Sequence, residues 1–427
     1  MTHVLMLVTS NLLHDNRVRR EAETLAAGLR FDRLTARGLS LSKAAAGYRV
    51  TVVSHIRPTD IARLGWDGAD KPTAVAAAPP AWEAATGWRR AAGHAADLWR
   101  WGGSGALLAA AAAHRADVVH AHDLDTLPAG VALARRWRAP LVYDAHELFV
   151  DQMTMGPAAA SLPWPSRVKQ ALAQRNFARL ERRLIGQAAA VITVSHSIVV
   201  ELAERYHIPP PTLVLNTPRY QDMTAGSDYL RRRLGLRAEQ RIMLLQGAVL
   251  PDRHLLELVQ TLPLLPDSVV LTFLGFNLGT FQEPIRQEAA RLGLQSRVFM
   301  LDALPAAQLL DATASADVGM ILLAGRNKND RFAMPNKLFE YMMAGLPFVA
   351  SDWPEIGRVA RATGAGVTVA EPTPAALAAA VNEILQAPAR QAAMRAAGLA
   401  AARREYNWEA QAVRLLDLYA ALPAARS

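Results

Sequence analysis

Two side chains three positions apart, Lys337 and Glu340, have the chemistry to hold a ligand that carries both negative charge and hydroxyl groups. They lie in RFAMPNKLFEYMMAGLPFVAS, residues 331–351. Leu338, Phe339, Met342 and Met343 recur near the helical period, and Pro335 stands where a first turn tolerates proline. Gly345 supplies the stop, and PFVAS follows as an apolar strand with a polar end. The spacing therefore predicts that Lys337 and Glu340 share the exposed side of a short helix at a sheet edge. In open α/β sheets ligands bind at the carboxyl ends of strands, beside helix N-termini whose unpaired N–H groups favour anions. That placement suits a nucleotide diphosphate, with Lys337 on phosphate charge and Glu340 on ribose hydroxyls. The same spacing also describes an ordinary exposed helical ion pair worth only about 0.3 kcal/mol.

PNKLFEYMMAGLPFVAS resembles the donor-site motif of the retaining glycosyltransferases of family 4, in the branch with a Pro-Asn-Lys-Leu-Phe-Glu-Tyr run before an Ala-Gly-x-Pro turn. The resemblance implies a GT-B fold, with Glu340 on the ribose of a sugar nucleotide and Asn336 in the same donor site. The broader family has a second Glu eight positions earlier. Here that place is Phe332, with Asp330 the nearby acid. The loop GAVLPDRHL after RIMLLQ resembles the family's phosphate loop, in which Gly247 lets the backbone approach the diphosphate and Arg253 neutralises the β-phosphate. The family's usual earlier Arg falls on Ala248, which leaves Arg253 and Lys337 to stabilise the leaving group. His122 in VVHAHD matches the first-domain histidine that contacts the transferred sugar, and His120, two residues earlier, reads as structural. The run from Asp15 through Arg17 matches an Asp-x-Arg-Val-x-x-Glu-Ala helix start that faces the cleft. Asp15, Arg17 and His146 are accordingly acceptor-side candidates. TVSHS, LNTP, FLG with Gly275 on the donor side, SDWPEIG and GAGV follow in the family's order.

Composition narrows the alternatives. The chain has 427 residues, 51% of them apolar, and a net charge of +9. Its length sets a prior of two domains. Residues 1–218 hold 25 Lys and Arg against 18 Asp and Glu, so the basic excess sits in the first half and suits a phosphate-rich partner such as an anionic membrane surface or a lipid diphosphate. With no cysteine there is no disulfide, thiol nucleophile or thiolate metal site. No run of about 18 apolar residues is present, and VLMLVT opens the chain as a strand without a signal-peptide pattern. A cytoplasmic protein is expected, in peripheral contact at most with the inner membrane face. No Gly-x-Gly-x-x-Gly follows a strand and no P-loop is present, so dinucleotide redox chemistry loses its support. A nucleic-acid-binding motif is also lacking, so no nucleic-acid partner is expected. Asp123-Leu124-Asp125 has Asp-x-Asp spacing but lies in the wrong half for a donor-site metal; it is expected to start a helix, and no metal is implied.

Strand and helix patterns alternate in both halves, which predicts two doubly wound Rossmann-like domains facing a cleft. The first is expected over 1–218, with a probable insertion at 28–45 read as a solvated helical hairpin or an acceptor-side element. Residues 57–83 read as loop, and a linker follows Asn216. The second domain is expected over 219–404, and residues 405–427 as a helix that crosses back to the first. Two segments stand out for their surfaces. AWEAATGWRRAAGHAADLWRW mixes Trp82, Trp88, Trp99 and Trp101 with Arg89, Arg90 and Arg100. The helix WPSRVKQALAQRNFARLERRL carries Arg167, Lys169, Arg175, Arg179, Arg182 and Arg183 against Glu181 alone. Both patterns fit helices packed on a sheet and also a membrane-surface element.

The reading is a metal-independent retaining glycosyltransferase that uses no cofactor. It would move a sugar from a UDP- or GDP-type nucleotide sugar to a glycan or lipid-linked acceptor in cell-envelope or exopolysaccharide synthesis. A catalytically impaired sugar-nucleotide-binding partner and a nucleotide-sugar epimerase of the same architecture are the alternatives.

Overall fold

The computed structural model describes residues 2–12, 15–27, 29–35, 38–43, 48–67, 70–153, 163–224 and 226–425. It divides into two compact units, residues 1–216 with 327–329 and 411–427, and residues 217–326 with 330–410.

In the first unit the apolar runs become parallel strands: β1 (His3–Leu7), β4 (Arg49–Ser54), β5 (Thr73–Ala76), β6 (Val118–His122), β7 (Leu141–Ala145), β8 (Ala190–Thr193) and β9 (Thr212–Leu213). They are ordered β5-β4-β1-β6-β7-β8-β9. β1, β6 and β7 are buried along their whole length, as expected of strands covered by helices on both faces. The order reverses between β1 and β6, so the carboxyl ends of these two strands flank the switch-point crevice where such sheets place ligands. Helix α1 (Asn16–Ala27) leaves this crevice, and the Asp15 carboxylate caps it by accepting from Val18 N–H at 3.0 Å.

The insertion is not helical. Its described backbone forms an antiparallel hairpin, β2 (Leu29–Thr35) with β3 (Gly38–Lys43); residues 28, 36–37 and 44–45 lie outside the described residues. Residues 57–83, expected as loop, contain edge strand β5 and a helical turn at Pro58–Leu64, because only the neighbouring β4 turns TAVA into a strand. Two long helices cover one side of this unit, α2 (Gly87–Trp101) and α3 (Trp164–Leu184).

The second unit holds β10 (Arg241–Gln246), β11 (Val269–Gly275), β12 (Val298–Asp302), β13 (Val318–Ile321), β14 (Phe348–Ser351) and β15 (Gly366–Val369), all parallel in the order β12-β11-β10-β13-β14-β15. Its reversal falls between β10 and β13. Leu271 and Phe273 of β11 and Val259 and Leu262 of the preceding helical segment are fully or almost fully buried in its core. Helix α4 (Asn336–Met343) ends with Gly345 at φ 62°, as the sequence predicts, while Pro335 stands just outside as the N-cap. The last helix, α5 (Trp408–Ala420), contributes residues from Gln411 onward to the first unit. There Gln411 Oε1 accepts from Leu215 N–H at 3.2 Å, and Tyr419 Oη lies 2.7 Å from His120 Nδ1.

Candidate active site

In the second unit the loop after β10 meets the start of α4. Tyr341 fixes the meeting: its buried hydroxyl donates to the Leu244 carbonyl at 3.1 Å and accepts from Gln246 N–H at 3.2 Å. This lays the first turn of α4 over the end of β10, so Lys337 and Glu340 are half-buried rather than on an exposed face. A Cβ built on Gly247 would lie 3.9 Å from Lys337 Nζ, which places the ammonium above the bare backbone of the loop. Gly247 has φ 98°, and its carbonyl oxygen would sit 1.8 Å from a Cβ on Gly275, so two predicted donor-site glycines form one close backbone crossing at the ends of β10 and β11.

Glu340 accepts from Gln246 Nε2 at 2.6 Å, and Gln246 Oε1 in turn accepts from Thr313 Oγ1 at 2.5 Å. Arg253 lies 3.7 Å from Asp252, whose other carboxylate oxygen takes Arg326 at 2.6 Å. Burial first, then the Arg253 guanidinium, push the Lys337 ammonium down to about 7. Two cations, Lys337 and Arg253, thus stand beside a bare glycine backbone, an arrangement that an anion can use. Asn336 is exposed at the first position of α4. Phe332 ends a short helix, and Asp330 is engaged with Arg326 through that residue's backbone N–H at 3.2 Å and its Nε at 3.5 Å.

The first-unit candidates gather at the ends of β6 and β7. His122 and His146 converge on one oxygen of Asp144, at 3.4 and 3.0 Å. His146 also faces Asp123 at 3.2 Å, and against the opposing effect of burial the two carboxylates hold its imidazole well above the usual histidine range. Burial holds His122 below that range. His122 is fully buried and its Nε2 has no hydrogen-bond partner, whereas the His146 side chain keeps 17% of its surface exposed. Asp123 adopts φ 63° and binds His146 instead of capping a helix. The helix that follows begins only at Leu127, behind Thr126. Asp125 accepts from Thr9 Oγ1 at 2.6 Å, and burial pushes its carboxyl up to about 7. Arg17 is buried, with its guanidinium on Asp144 at 2.9 Å, on Glu21 at 3.1 Å and on the Val214 carbonyl at 2.8 Å. It enters the site as an internal counter-ion rather than as an exposed acceptor contact. Asp15, besides capping α1, accepts from Ser10 at 2.5 Å.

Glu21 and Asp144 are the residues that sequence reading passed over. Glu21 stands four positions after Arg17 on α1 and inside the quoted motif, and Asp144 is two positions before His146. The signal was present in both cases, as an i,i+4 pair and as a strand end. In the second unit Gln246, the last residue of its strand, was missed because nothing local marks a glutamine that contacts Glu340, 94 positions away.

Glu21, His120, His122 and Asp144 bring ligand atoms within 4.8 Å of one another. The spacing would accept a divalent ion, but Arg17 already lies between the two carboxylates and supplies the positive charge. Burial, then the Asp144 charge, push Glu21 up to about 8. Folded Glu21 therefore keeps a proton that the unfolded chain loses near pH 4.5, and this group costs stability as pH rises from about 4.5 to about 8. Glu21→Gln is expected to remove that slope and to gain stability relative to the parent by a few kcal/mol between pH 5 and 8.5. Chemical denaturation of both proteins across that range checks it; a difference that stays constant with pH means Glu21 is ionised throughout.

Comparison with known proteins bears on the family and the fold. Residues 35–217 match Glycosyltransferase Family 4, and residues 227–400 match Glycosyl transferases group 1. The D-inositol 3-phosphate glycosyltransferase of Xylanimonas cellulosilytica is 30% identical over 334 residues, covering 73% of this chain and 74% of that protein. Among solved structures, Anabaena HepE in complex with UDP-glucose superposes with a TM-score of 0.68 at 16% identity, over 99% of this chain and all of that one. The sucrose-phosphate synthase of Thermosynechococcus elongatus gives 0.72 at 17% identity, over 98% of each chain. The two parallel Rossmann-like sheets and these neighbours establish the GT-B fold.

Proposed function

We propose that this chain, which belongs to the glycosyltransferases of family 4 and is a sugar-transferring enzyme of the GT-B fold, uses a nucleotide-diphosphate sugar as donor and transfers with retention. The observation that carries the donor reading is the second-unit constellation: Lys337 over the Gly247 backbone, Arg253 in the same loop, and Glu340 on the adjoining turn, all at the sheet's switch point. Glycine backbone and two cations suit a diphosphate, and a carboxylate held by Gln246 suits a pair of ribose hydroxyls. A UDP-type donor is the first choice, because HepE, the neighbour in fold, was solved with UDP-glucose.

Transfer then proceeds on one face of the sugar. The bond between the anomeric carbon and the β-phosphate oxygen breaks, the acceptor oxygen bonds to that carbon from the same side, and the acceptor's proton passes to the departing phosphate oxygen. Arg253 and Lys337 stabilise the charge that grows on the diphosphate, so the protein's work is positioning and electrostatics. His146, backed by Asp123 and Asp144, and behind it His122, supply the first unit's polar surface for the sugar and acceptor. The acceptor is a glycan or lipid-linked sugar of the cell envelope, reached at an anionic membrane surface. Because similar proteins are named for D-inositol 3-phosphate, that compound is the control acceptor to assay beside it.

Thermal shift with UDP, GDP, ADP and TDP tests the donor site. A ligand at about 100 times its Kd should stabilise the fold by roughly 2.7 kcal/mol. One nucleotide is expected to shift the parent protein, and Glu340→Ala is expected to lose most of that shift. The donor assignment fails if no nucleotide shifts the parent, or if Glu340→Ala and Lys337→Ala both keep the full shift.

A further inference from the structure

The two long helices of the first unit carry an apolar surface that nothing in the transfer reaction uses. On α2, Trp88, Ala91, Ala92, Ala95 and Trp99 are exposed and fall at helical spacing on one side. The opposite side packs inward: Trp82 lies against Gly93 and against the ring of His94, and Asp97 accepts from Gly105 N–H. Asp97 is the one buried residue of this helix, and two of its three tryptophans, Trp88 and Trp99, are turned to solvent while Trp101 is half-buried. On α3, Trp164, Val168 and Leu172 form a second exposed row four residues apart, and Arg175, Arg179 and Arg182 continue it. The two rows adjoin, because Arg179 stacks on the Trp99 ring at 4.4 Å and donates to the Trp99 carbonyl at 2.8 Å. Trp88 is 75% exposed, Trp164 73%, Trp99 59% and Leu172 57%, far more than side chains of that size keep without a partner.

Charge identifies the partner. Both acidic side chains of these helices are buried and used internally: Asp97 at Gly105, and Glu181 under the hydroxyls of Tyr143 at 3.3 Å and Tyr206 at 2.6 Å. Every charged side chain the two helices leave accessible is basic, namely Arg89, Arg90 and Arg100 on α2 and Arg167, Lys169, Arg175, Arg179, Arg182 and Arg183 on α3. A protein partner of ordinary composition would need acids as well as bases opposite it. A bilayer with anionic headgroups over an apolar interior matches tryptophan rows set among arginines. No described helix is long and apolar enough to cross a membrane, so the contact is one of surface insertion.

We propose that the exposed face of α2 and α3 is a docking surface for an anionic phospholipid bilayer, with the tryptophans entering the headgroup boundary and the arginines holding lipid phosphates. The proposal goes beyond the transfer reaction and does not depend on which donor or acceptor is used.

Co-sedimentation of the full chain with vesicles tests it, using phosphatidylcholine alone and phosphatidylcholine with roughly 30 mol% phosphatidylglycerol at about 0.1 M salt. Binding is expected to the anionic vesicles and at least about tenfold weaker to the neutral ones. Trp88→Ser with Trp164→Ser, and separately Arg175→Glu with Arg182→Glu, are each expected to lower anionic-vesicle binding by about tenfold or more, since one basic contact is worth about fivefold. Both variants should keep the nucleotide thermal shift of the parent, which shows that they fold and separates failure here from failure of the donor assignment. Absence of binding to either vesicle, equal binding to both, or variants that bind like the parent overturns the proposal. So does tighter binding to duplex DNA than to anionic vesicles, which would hand the surface to nucleic acid.

Discussion

Lys337→Ala is expected to lower kcat/KM for sugar transfer by about a hundred- to a thousandfold, the usual loss when one donor to a developing oxyanion is removed from a desolvated site. The size follows from where the ammonium lies. It rests half-buried over the Gly247 backbone, with a second cation, the partly exposed Arg253, near enough to act on its charge. The same position gives a pH signature. With Lys337 pushed down to about 7, the unliganded native state lacks a proton that the unfolded chain holds between about pH 7 and 10.5. In that window this group lets stability rise with pH, and below it the buried charge costs stability. A bound diphosphate reverses the preference by supplying negative charge. Nucleotide binding at pH 8 is therefore expected to take up close to one proton, and affinity to fall as pH rises from 7.5 to 9. Calorimetry in buffers of different ionisation enthalpy reads the uptake, and Lys337→Met should abolish it. Unchanged kcat/KM in the alanine variant, or proton uptake that persists in the methionine variant, would remove Lys337 from the leaving-group role.

Gly275→Ala is expected to destabilise the protein by about 2–4 kcal/mol, or roughly 5–15 °C in Tm, although it adds only a methyl group. That methyl would be built 1.8 Å from the Gly247 carbonyl oxygen and 2.7 Å from its carbon, and both are backbone atoms that cannot swing aside. Relief requires the β10 loop to move. Moving it breaks the bonds between Gly247 N–H and the Leu274 carbonyl at 2.9 Å and between Phe276 N–H and the Gly247 carbonyl at 3.2 Å. The displaced loop is the one beneath Lys337, so the variant should also lose the nucleotide thermal shift. Gly279→Ala is the control. It lies four residues on, in the helix after β11, with nothing within 4 Å of a built Cβ, and it should be neutral or slightly stabilising. Equal Tm values for the two variants would show that the crossing is slack.

The strands and helices of the second unit could be read locally, because apolar runs alternate there with helical patterns; β11, β13 and β14 are buried throughout and β10 but for its first residue, and only the edge strands β12 and β15 are half-covered. The β2–β3 hairpin could not. GLSLSK does alternate with the period of a strand, but the run is short and lies next to helical sequence, and only its pairing with LRFDRLT fixed the hairpin. The same limit holds at edge strand β5, which exists only beside β4.

By itself the sequence determined the two-domain α/β architecture, the family, the loop glycines and the cation and carboxylate at Lys337 and Glu340, since all of these are set by residue type and short spacing. The tertiary structure alone decided which of those groups are within reach. It sank His122 and Arg17 into a buried cluster with Glu21 and Asp144, left His146 partly exposed, and joined Gln246 to Glu340 across 94 positions. It also turned Trp88 and Trp99 of α2 outward. Burial, and the pKa shifts that come with it, depend on which strand ends meet, and no local pattern in the chain records that meeting.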